Sequence, residues 1–491
     1  MDSSQSGATE SILKVESRLR SAAFEAQSDS DGIFALCALA QFLADVARDD
    51  EAVELFEKAI ARSYHIISGD GDERSCVESE SIKKVMGLAM GWYAGLVEGN
   101  GPEGAGKAEA LYTRALEMNA QDPMCMGNYA VFLHRIKRDY QGAAIAYKNA
   151  VEVHPTHASI LCKYGSFLKH VGCDKSKAEM YFEAAIKANP AHAESLGNLA
   201  VLLHAKSTED QVSLQRVEDL YKRAVHADPM NANNLSNYGL FLAEVRGDSV
   251  TAEMLYKRAA EIDPFHANSI YNHAVLLDTN LKQPELAERM YRRCLEVNPE
   301  HGYALYNLAV LREEHVKDGD YSEVRLLFER AVKASPKDAL TRADYGRFLA
   351  LTEKDPVKAE LNLRGALHYD PNCVVARYNL GRLLLALHHR DRPYLENAQS
   401  EKGTQSNRRR ASKREKDIRE AKDLLTGVLL LKEDHPGANM QLAKVLIKEG
   451  ELEEALRHCD AALRGGGSSD IEEIRGIAGL LGRTSRSSRV V

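Results

Sequence analysis

The chain has 491 residues, a net charge of −8 and 28 % charged side chains, with thirteen prolines and one tryptophan. That acidic balance gives no overall attraction to nucleic acid or anionic lipid, and no apolar run approaches the roughly 18 residues a membrane span requires. Met1–Glu10 is polar and lacks a basic stretch followed by an apolar one, so no secretory leader is expected and the expected location is cytoplasmic, with nuclear access open.

The eight cysteines (Cys37, Cys76, Cys125, Cys162, Cys173, Cys294, Cys373 and Cys459) form no C-x-x-C pair. Their scatter suggests neither a disulfide framework nor a zinc site, and reduced buried thiols are expected. No metal or cofactor is implied.

The first element expected is a capping helix over about Glu10–Gln27, within a polar N-terminal segment 1–30. A repeat array follows over 31–465. Its register is set by Pro155, Pro190, Pro229, Pro264, Pro299, Pro336 and Pro371, spaced by 35, 39, 35, 35, 37 and 35 residues. Each proline ends a helical stretch, because it cannot continue a helix and drives the preceding residue out of the α region. Before each lies a small–large–small triplet at helical spacing, such as Ala178, Phe182, Ala185 or Ala287, Tyr291, Cys294. After each comes a second pattern, a large residue, Gly or Ala, then Leu: Tyr164-Gly165 with Leu168, Tyr238-Gly239 with Leu242, His273-Ala274 with Leu277. Small residues let paired helices approach closely, and the aromatic fills the space between repeats.

This pattern resembles the tetratricopeptide repeat family over residues 33 to 465, most clearly in NYGLFLAEVRGDSVTAEMLYKRAAEIDP and NHAVLLDTNLKQPELAERMYRRCLEVNP. The family's first-helix Trp is replaced by Leu or Ile (Leu161, Leu196, Leu235, Ile270, Leu305). The triplet extends upstream to Ala52, Phe56, Ala59 and Ala108, Tyr112, Ala115, and downstream to Ala421, Leu425, Val428 and Ala455, Cys459, Ala462. The expected fold is therefore all-α, a right-handed solenoid of about eleven helix pairs with capping helices at both ends.

Two interruptions are expected: a surface loop over 68–79 and a disordered insert over about 390–416. The insert follows from the 62 residues between Pro371 and Glu433, 27 more than the usual 35. It carries Arg408-Arg409-Arg410, and Arg409-Arg410-Ala411-Ser412 fits a basophilic-kinase pattern that makes Ser412 a candidate phosphosite. Residues 466–491 would hold a C-terminal capping helix near Asp470–Leu481 and a basic tail.

Several motifs lead nowhere. Gly101 to Ala108 nearly matches a phosphate-binding loop, but Ala108 stands where a hydroxyl is needed and no strand precedes it. His389-Arg390-Asp391 lacks every other kinase element. The sequon at Asn234 falls in a helix. His157, His192, His266 and His301, with Asn231 and Asp338 at the same place in other repeats, read as helix N-caps.

With no catalytic cluster, no enzymatic activity is expected. In the tetratricopeptide family the first helices line a concave surface, and one position two before the small Gly or Ala would face it. Along the chain this position is Asn128, Lys163, Asn198, Asn237, Asn272, Asn307, Asp344, Asn379 and Gln441. The row resembles the asparagine ladder in the superhelical repeats of the O-GlcNAc transferase family, without its catalytic domain. A carboxamide both donates and accepts, so such a row would hold an extended peptide backbone or instead bond neighbouring repeats. The chaperone-tail clamp of the family needs Lys four residues earlier, where this chain has Met124, Glu194, Asn233, Asn268, Tyr303 and Val375. Tyr271, Tyr306 and Tyr378 precede the ladder by one residue, and Arg347, Arg382 and Lys444 give the last repeats a basic groove. The expected role is a scaffold or adaptor that binds a protein or extended peptide, acidic at one end. The alternative is an RNA-associated helical-repeat protein, suggested by the 35-residue period and the Arg run.

Overall fold

A computed structural model describes residues 2–26, 29–67, 73–172, 174–206, 210–316, 319–390 and 405–466. The chain divides into two compact units, Met1–Ile262 and Asp263–Val491. Unit 1 begins with α1 (Asp2–Glu25). Antiparallel pairs follow: α2 (Asp29–Asp45) with α3 (Asp49–Ile67), α4 (Glu73–Val97) with α5 (Gly101–Met118), α6 (Pro123–Phe132) with α7 (Tyr140–Val153), α8 (Ala158–His170) with α9 (Lys175–Ala188), α10 (Ala193–His204) with α11 (Gln211–Ala227), and α12 (Ala232–Phe241) with α13 (Ser249–Ile262). Unit 2 holds α14 (Ala267–Thr279) with α15 (Pro284–Val297), α16 (Gly302–His315) with α17 (Ser322–Ala334), α18 (Ala339–Leu351) with α19 (Pro356–Tyr369), α20 (Val374–Arg390) with α21 (Gln405–Leu431), and α22 (Pro436–Glu449) with α23 (Leu452–Arg464). Each unit is an all-α solenoid of stacked pairs, and no strand occurs among the described residues.

The triplets form the core. Ala178, Phe182 and Ala185, like Ala252, Tyr256, Ala259 and Ala287, Tyr291, Cys294, are at most 1 % exposed. The small first-helix residue sets the approach within a pair. A Cβ at Gly165 would lie 2.8 Å from Phe182, and at Gly346 2.7 Å from Leu363 Cγ.

One residue closes both ends of the turn within a pair. The Asp139 N–H donates to the Leu133 carbonyl (2.9 Å), closing the first helix six residues back, while its carboxylate caps α7 at Gly142 N (2.8 Å). Asp174, Asp248 and Asp355 repeat this double use on Leu168, Leu242 and Leu349. The residue before it turns left-handed at Arg138, Gly247 and Lys354. Where Asp139 and Asp248 close the helix, the last turn widens into π-turns at Leu133–Lys137 and Leu242–Arg246.

Ion pairs tie a turn to the second helix of the preceding pair. Lys137 meets Glu109 (2.8 Å), Lys206 meets Glu179 (2.5 Å), Arg246 meets Glu218 (2.8 Å) and Arg312 meets Glu288 (3.5 Å). Each Glu directly follows the first residue of a triplet. Arg223, Arg258 and Arg330 each donate to a preceding repeat-proline carbonyl, on Pro190, Pro229 and Pro299.

The expected interruptions need correction. Helix α4 already begins at Glu73, so only 68–72 of the expected 68–79 loop lies outside it, and these residues are outside the described ones. Helix α21 begins at Gln405, so the expected disordered insert is helical over 405–416, and Ser412 stands on that helix. Residues 391–404 lie outside the described residues. The physical reason is the same in both places. A helix packed through Ile82 and Met86, or through Ala421 and Leu425, is already nucleated. Propagating it through Arg, Lys, Glu and Ala costs little despite their polarity. The expected C-terminal cap at Asp470–Leu481 lies outside the described residues.

The cysteines with described side chains, Cys37, Cys125, Cys162, Cys294, Cys373 and Cys459, are buried and unbridged. Burial raises the Cys37, Cys125 and Cys162 thiols to about 12. The near phosphate-binding loop opens α5, where Ala108 is fully buried in the core and a Cβ at Gly104 would meet the Val97 carbonyl at 2.3 Å. Asn234 is 4 % exposed and donates to the Ala193 carbonyl (3.2 Å), so it is no glycan acceptor.

Candidate functional site

The N-caps fix where each first helix begins. Asn231 and Asp338 accept from the N–H three residues on, at 3.0 and 3.1 Å. His192 and His301 do so through Nδ1, at 3.3 and 3.2 Å, and so does His435 on Ala438 (3.2 Å), a position not singled out from sequence. His157 and His266 occupy the N-cap position without a side-chain bond to the helix N–H groups. Burial lowers the pKa of all five rings below the usual histidine value. His301 Nε2 meets Asn268 Oδ1 at 3.3 Å, which makes Nε2 the protonated nitrogen and leaves Nδ1 free to accept.

With the helix starts fixed, the ladder positions fall in register, yet their chemistry differs. Asn128 Oδ1 accepts from Lys163 Nζ (2.7 Å) between α6 and α8. Asn198 Nδ2 turns back toward Ser166 Oγ (3.4 Å) and Cys162 Sγ (3.6 Å) on α8. Asn307 donates to the Tyr271 hydroxyl (3.2 Å), joining α16 to α14. Asn379 is buried and donates to Val375 O of its own helix (2.9 Å). Asn272 is half-buried and bonded. Asn237 is half-buried, and its carboxamide makes no hydrogen bond among the described residues.

The tyrosines expected to face a ligand serve the inter-repeat contacts as well. Tyr271 packs on His301, centroids 4.9 Å apart, and accepts from Asn307. Tyr306 donates to Asp344 (2.8 Å), and burial beside that carboxylate drives its phenol well above the usual value. Tyr378 packs on His435 at 4.9 Å.

The basic trio does not act as one group. Arg347 is clamped by Glu313, Nη1–Oε1 3.1 Å and Nη2–Oε2 2.6 Å, and its Nε meets Asp344 at 3.3 Å. It is a structural ion pair, so the groove expected to be basic in the last repeats is neutralised at this position. Arg382 is half-buried over the Tyr378 ring (5.8 Å) with no carboxylate partner among the described residues. Lys444 is exposed and, among the described residues, unpaired, on the wall of a cavity of about 180 Å³ shared by Leu385, Ile418 and Val445.

Glu313 was missed in the sequence reading. It stands six residues after its ladder position, a row that also holds His134, Lys169, His204 and Asp278. Polar side chains at five of the row's nine positions were the signal available, the others being Ala243, Ala350, Leu385 and Ile447. Among the described residues no three His, Cys, Asp or Glu side chains converge on a metal-sized site, and no helix is long and apolar enough to cross a membrane.

Tetratricopeptide repeat family models match residues 280–339 and 414–470. No curated protein sequence matches the chain. Among solved structures, a protective antigen of uropathogenic Escherichia coli strains with an SLR fold aligns at 17 % identity and a TM-score of 0.50, over 94 % of this chain and 90 % of its own. Human IFIT1, solved as a dimer with PPP-AAAA, aligns at 15 % identity and 0.47, over 93 % and 95 %. YrrB, described as a TPR protein with an unusual peptide-binding site, aligns at 23 % identity and 0.29, over 40 % and 96 %. At these identities the likeness concerns the fold. The repeating helix pairs, their buried triplets and the two matched segments identify tetratricopeptide repeats in this chain.

Proposed function

We propose that the chain is a protein-interaction scaffold that holds an extended segment of a partner along the ladder face of its first helices. The observation that supports this reading is hydrogen-bonding capacity left unfilled at two registers of the first helices, the ladder position and the one three residues after it. Asn237, Arg382 and Lys444 make no side-chain bond or ion pair among the described residues, whereas Asn128, Asn307 and Arg347 at equivalent positions are engaged. A carboxamide with free donors and an acceptor fits a peptide backbone. In unit 2 the free Arg382 and Lys444, with the cavity lined by Leu385, Ile418 and Val445, suit an acidic residue next to an apolar one.

The test is site-specific photocrosslinking with the full chain. A photoreactive side chain at Val201 or Val310, both one residue after the small first-helix residue, is expected to capture the partner. The same group at Met180 or Leu326, exposed on second helices, is expected not to. Capture only from the second-helix positions overturns the reading.

A further inference from the structure

Unit 2 itself shows how a carboxylate is held at one register of its first helices. Arg347, three residues after the ladder position of α18, is met by two internal acids. Glu313, six residues after the ladder position of the preceding first helix, grips the guanidinium at 3.1 and 2.6 Å. Asp344, the ladder residue of Arg347's own helix, meets Nε at 3.3 Å. The next two first helices keep a cation at this register and lose both acids. For Arg382 on α20 the two places hold Ala350 and Asn379, and Asn379 already donates to Val375 O of its own helix. For Lys444 on α22 they hold Leu385 and Gln441. Lys444, Gln441 and Leu385 share the wall of one cavity, of about 180 Å³, with Ile418 and Val445. Arg382 stands one turn before Leu385 on the same helix, which places it beside that cavity. Its guanidinium lies over the Tyr378 ring (5.8 Å), and that ring packs on His435, the N-cap of the helix that carries Lys444. Glu449, also on the cavity wall, pairs with Lys422, so its charge is already matched.

We propose that Arg382 and Lys444 form a two-point site for an acidic peptide, whose side-chain carboxylates take the place that Glu313 holds at Arg347. This rests on the groove reading above and adds the partner's chemistry and spacing. The planar fork of Arg382 suits the bidentate contact already made by Arg347, and Lys444 offers a point charge. The two cations stand on successive first helices, and packed helices lie about 8–10 Å apart. A polyproline-II segment has three residues per turn and rises about 3.1 Å per residue, so acids three residues apart share one face at about 9 Å. Same-face positions of a β-strand fall at about 7 or 13 Å instead. The site therefore selects Asp or Glu three residues apart on an extended segment, with an aliphatic neighbour entering the cavity. The apolar walls Leu385, Ile418 and Val445 favour a peptide over RNA, whose strand offers phosphates but no aliphatic side chain for that space.

The test uses the full chain and fluorescent proline-rich peptides of about 15 residues, in low and high salt. They carry two Glu three residues apart, two Glu two residues apart, or Gln at both places, and a uridine oligonucleotide of similar length stands beside them. The peptide with Glu three apart is expected to bind at least about tenfold tighter than the Gln peptide and about threefold tighter than the peptide with Glu two apart, both preferences fading in high salt. The double variant Arg382→Gln, Lys444→Gln is expected to abolish the preference while the melting temperature holds. Ala350→Glu restores an acid at the register of Glu313, at a half-buried position, and is expected to remove most of the preference by engaging Arg382 internally. Equal affinity for Glu and Gln peptides overturns the site, and so does a preference unchanged in both variants. Equal affinity at the two Glu spacings overturns the three-residue spacing. Tighter binding of the oligonucleotide overturns the peptide in favour of RNA. If no peptide binds, the site is overturned, and the crosslinking described above, which reads the natural partner, decides the groove reading separately.

Discussion

The guanidinium of Arg347 lies in bidentate contact with the Glu313 carboxylate, 3.1 and 2.6 Å, bridging first helices of adjacent pairs in unit 2. Arg382, at the same register in the next pair, stacks on Tyr378 and has no such partner among the described residues. Equivalent sequence positions therefore hold a structural cation and an available one.

This difference separates two variants. Arg347→Gln is expected to lower stability by roughly 1–3 kcal/mol, since both partners are largely shielded and Glu313 is left unpaired. It should leave partner affinity little changed. Arg382→Gln should do the reverse. Denaturant unfolding and partner titration on both variants check the pair, and a loss of affinity in Arg347→Gln alone contradicts it.

The ladder asparagines should divide in the same way. Asn307→Ala and Asn128→Ala each remove an inter-repeat bond and are expected to cost about 0.5–1.5 kcal/mol. Asn237→Ala should leave melting near wild type and weaken partner binding instead. Circular dichroism melts beside binding isotherms read out both effects.

The histidine caps should make the fold acid-sensitive. In His192, His301 and His435, Nδ1 accepts a backbone N–H, which only the neutral ring can do, and burial lowers each folded-state pKa. A depressed histidine pKa means the unfolded chain takes up the proton first. The stabilisation is therefore fully present above the unfolded value of about 6.5 and is lost as pH falls from there toward the lowered folded values. Melting temperature should drop between neutral and mildly acidic pH. Replacing these three residues by Asn, the residue found at position 231, should flatten that drop, and an unchanged pH profile would show that the caps do not cause it.

Close helix approach predicts intolerance at the small first-helix positions. A Cβ at Gly346 would lie 2.7 Å from Leu363 Cγ and 3.2 Å from the Ala359 carbonyl, so Gly346→Ala should cost about 1–3 kcal/mol. The effect should exceed any gain from alanine's helix propensity, as an unfolding titration would show.

The sequence by itself determined the helix pairs, their number and their core. Small–large–small spacing over eight residues is a local helical property, and Ala178, Phe182 and Ala185 could be assigned to one buried face without knowing what they touch. The N-cap role of His192 and His301 was legible for the same reason, since a cap bonds three residues away. Helix length at 73–79 and 405–416 was not legible, because polar composition suggests a loop whereas extension of an already packed helix depends on tertiary nucleation. The use of the polar row was decided only by tertiary structure. Glu313 lies 34 residues before Arg347, and whether a cation at that register is clamped, as Arg347 is, or left without a carboxylate among the described residues, as Arg382 is, depends on which side chain the neighbouring repeat brings within hydrogen-bond range.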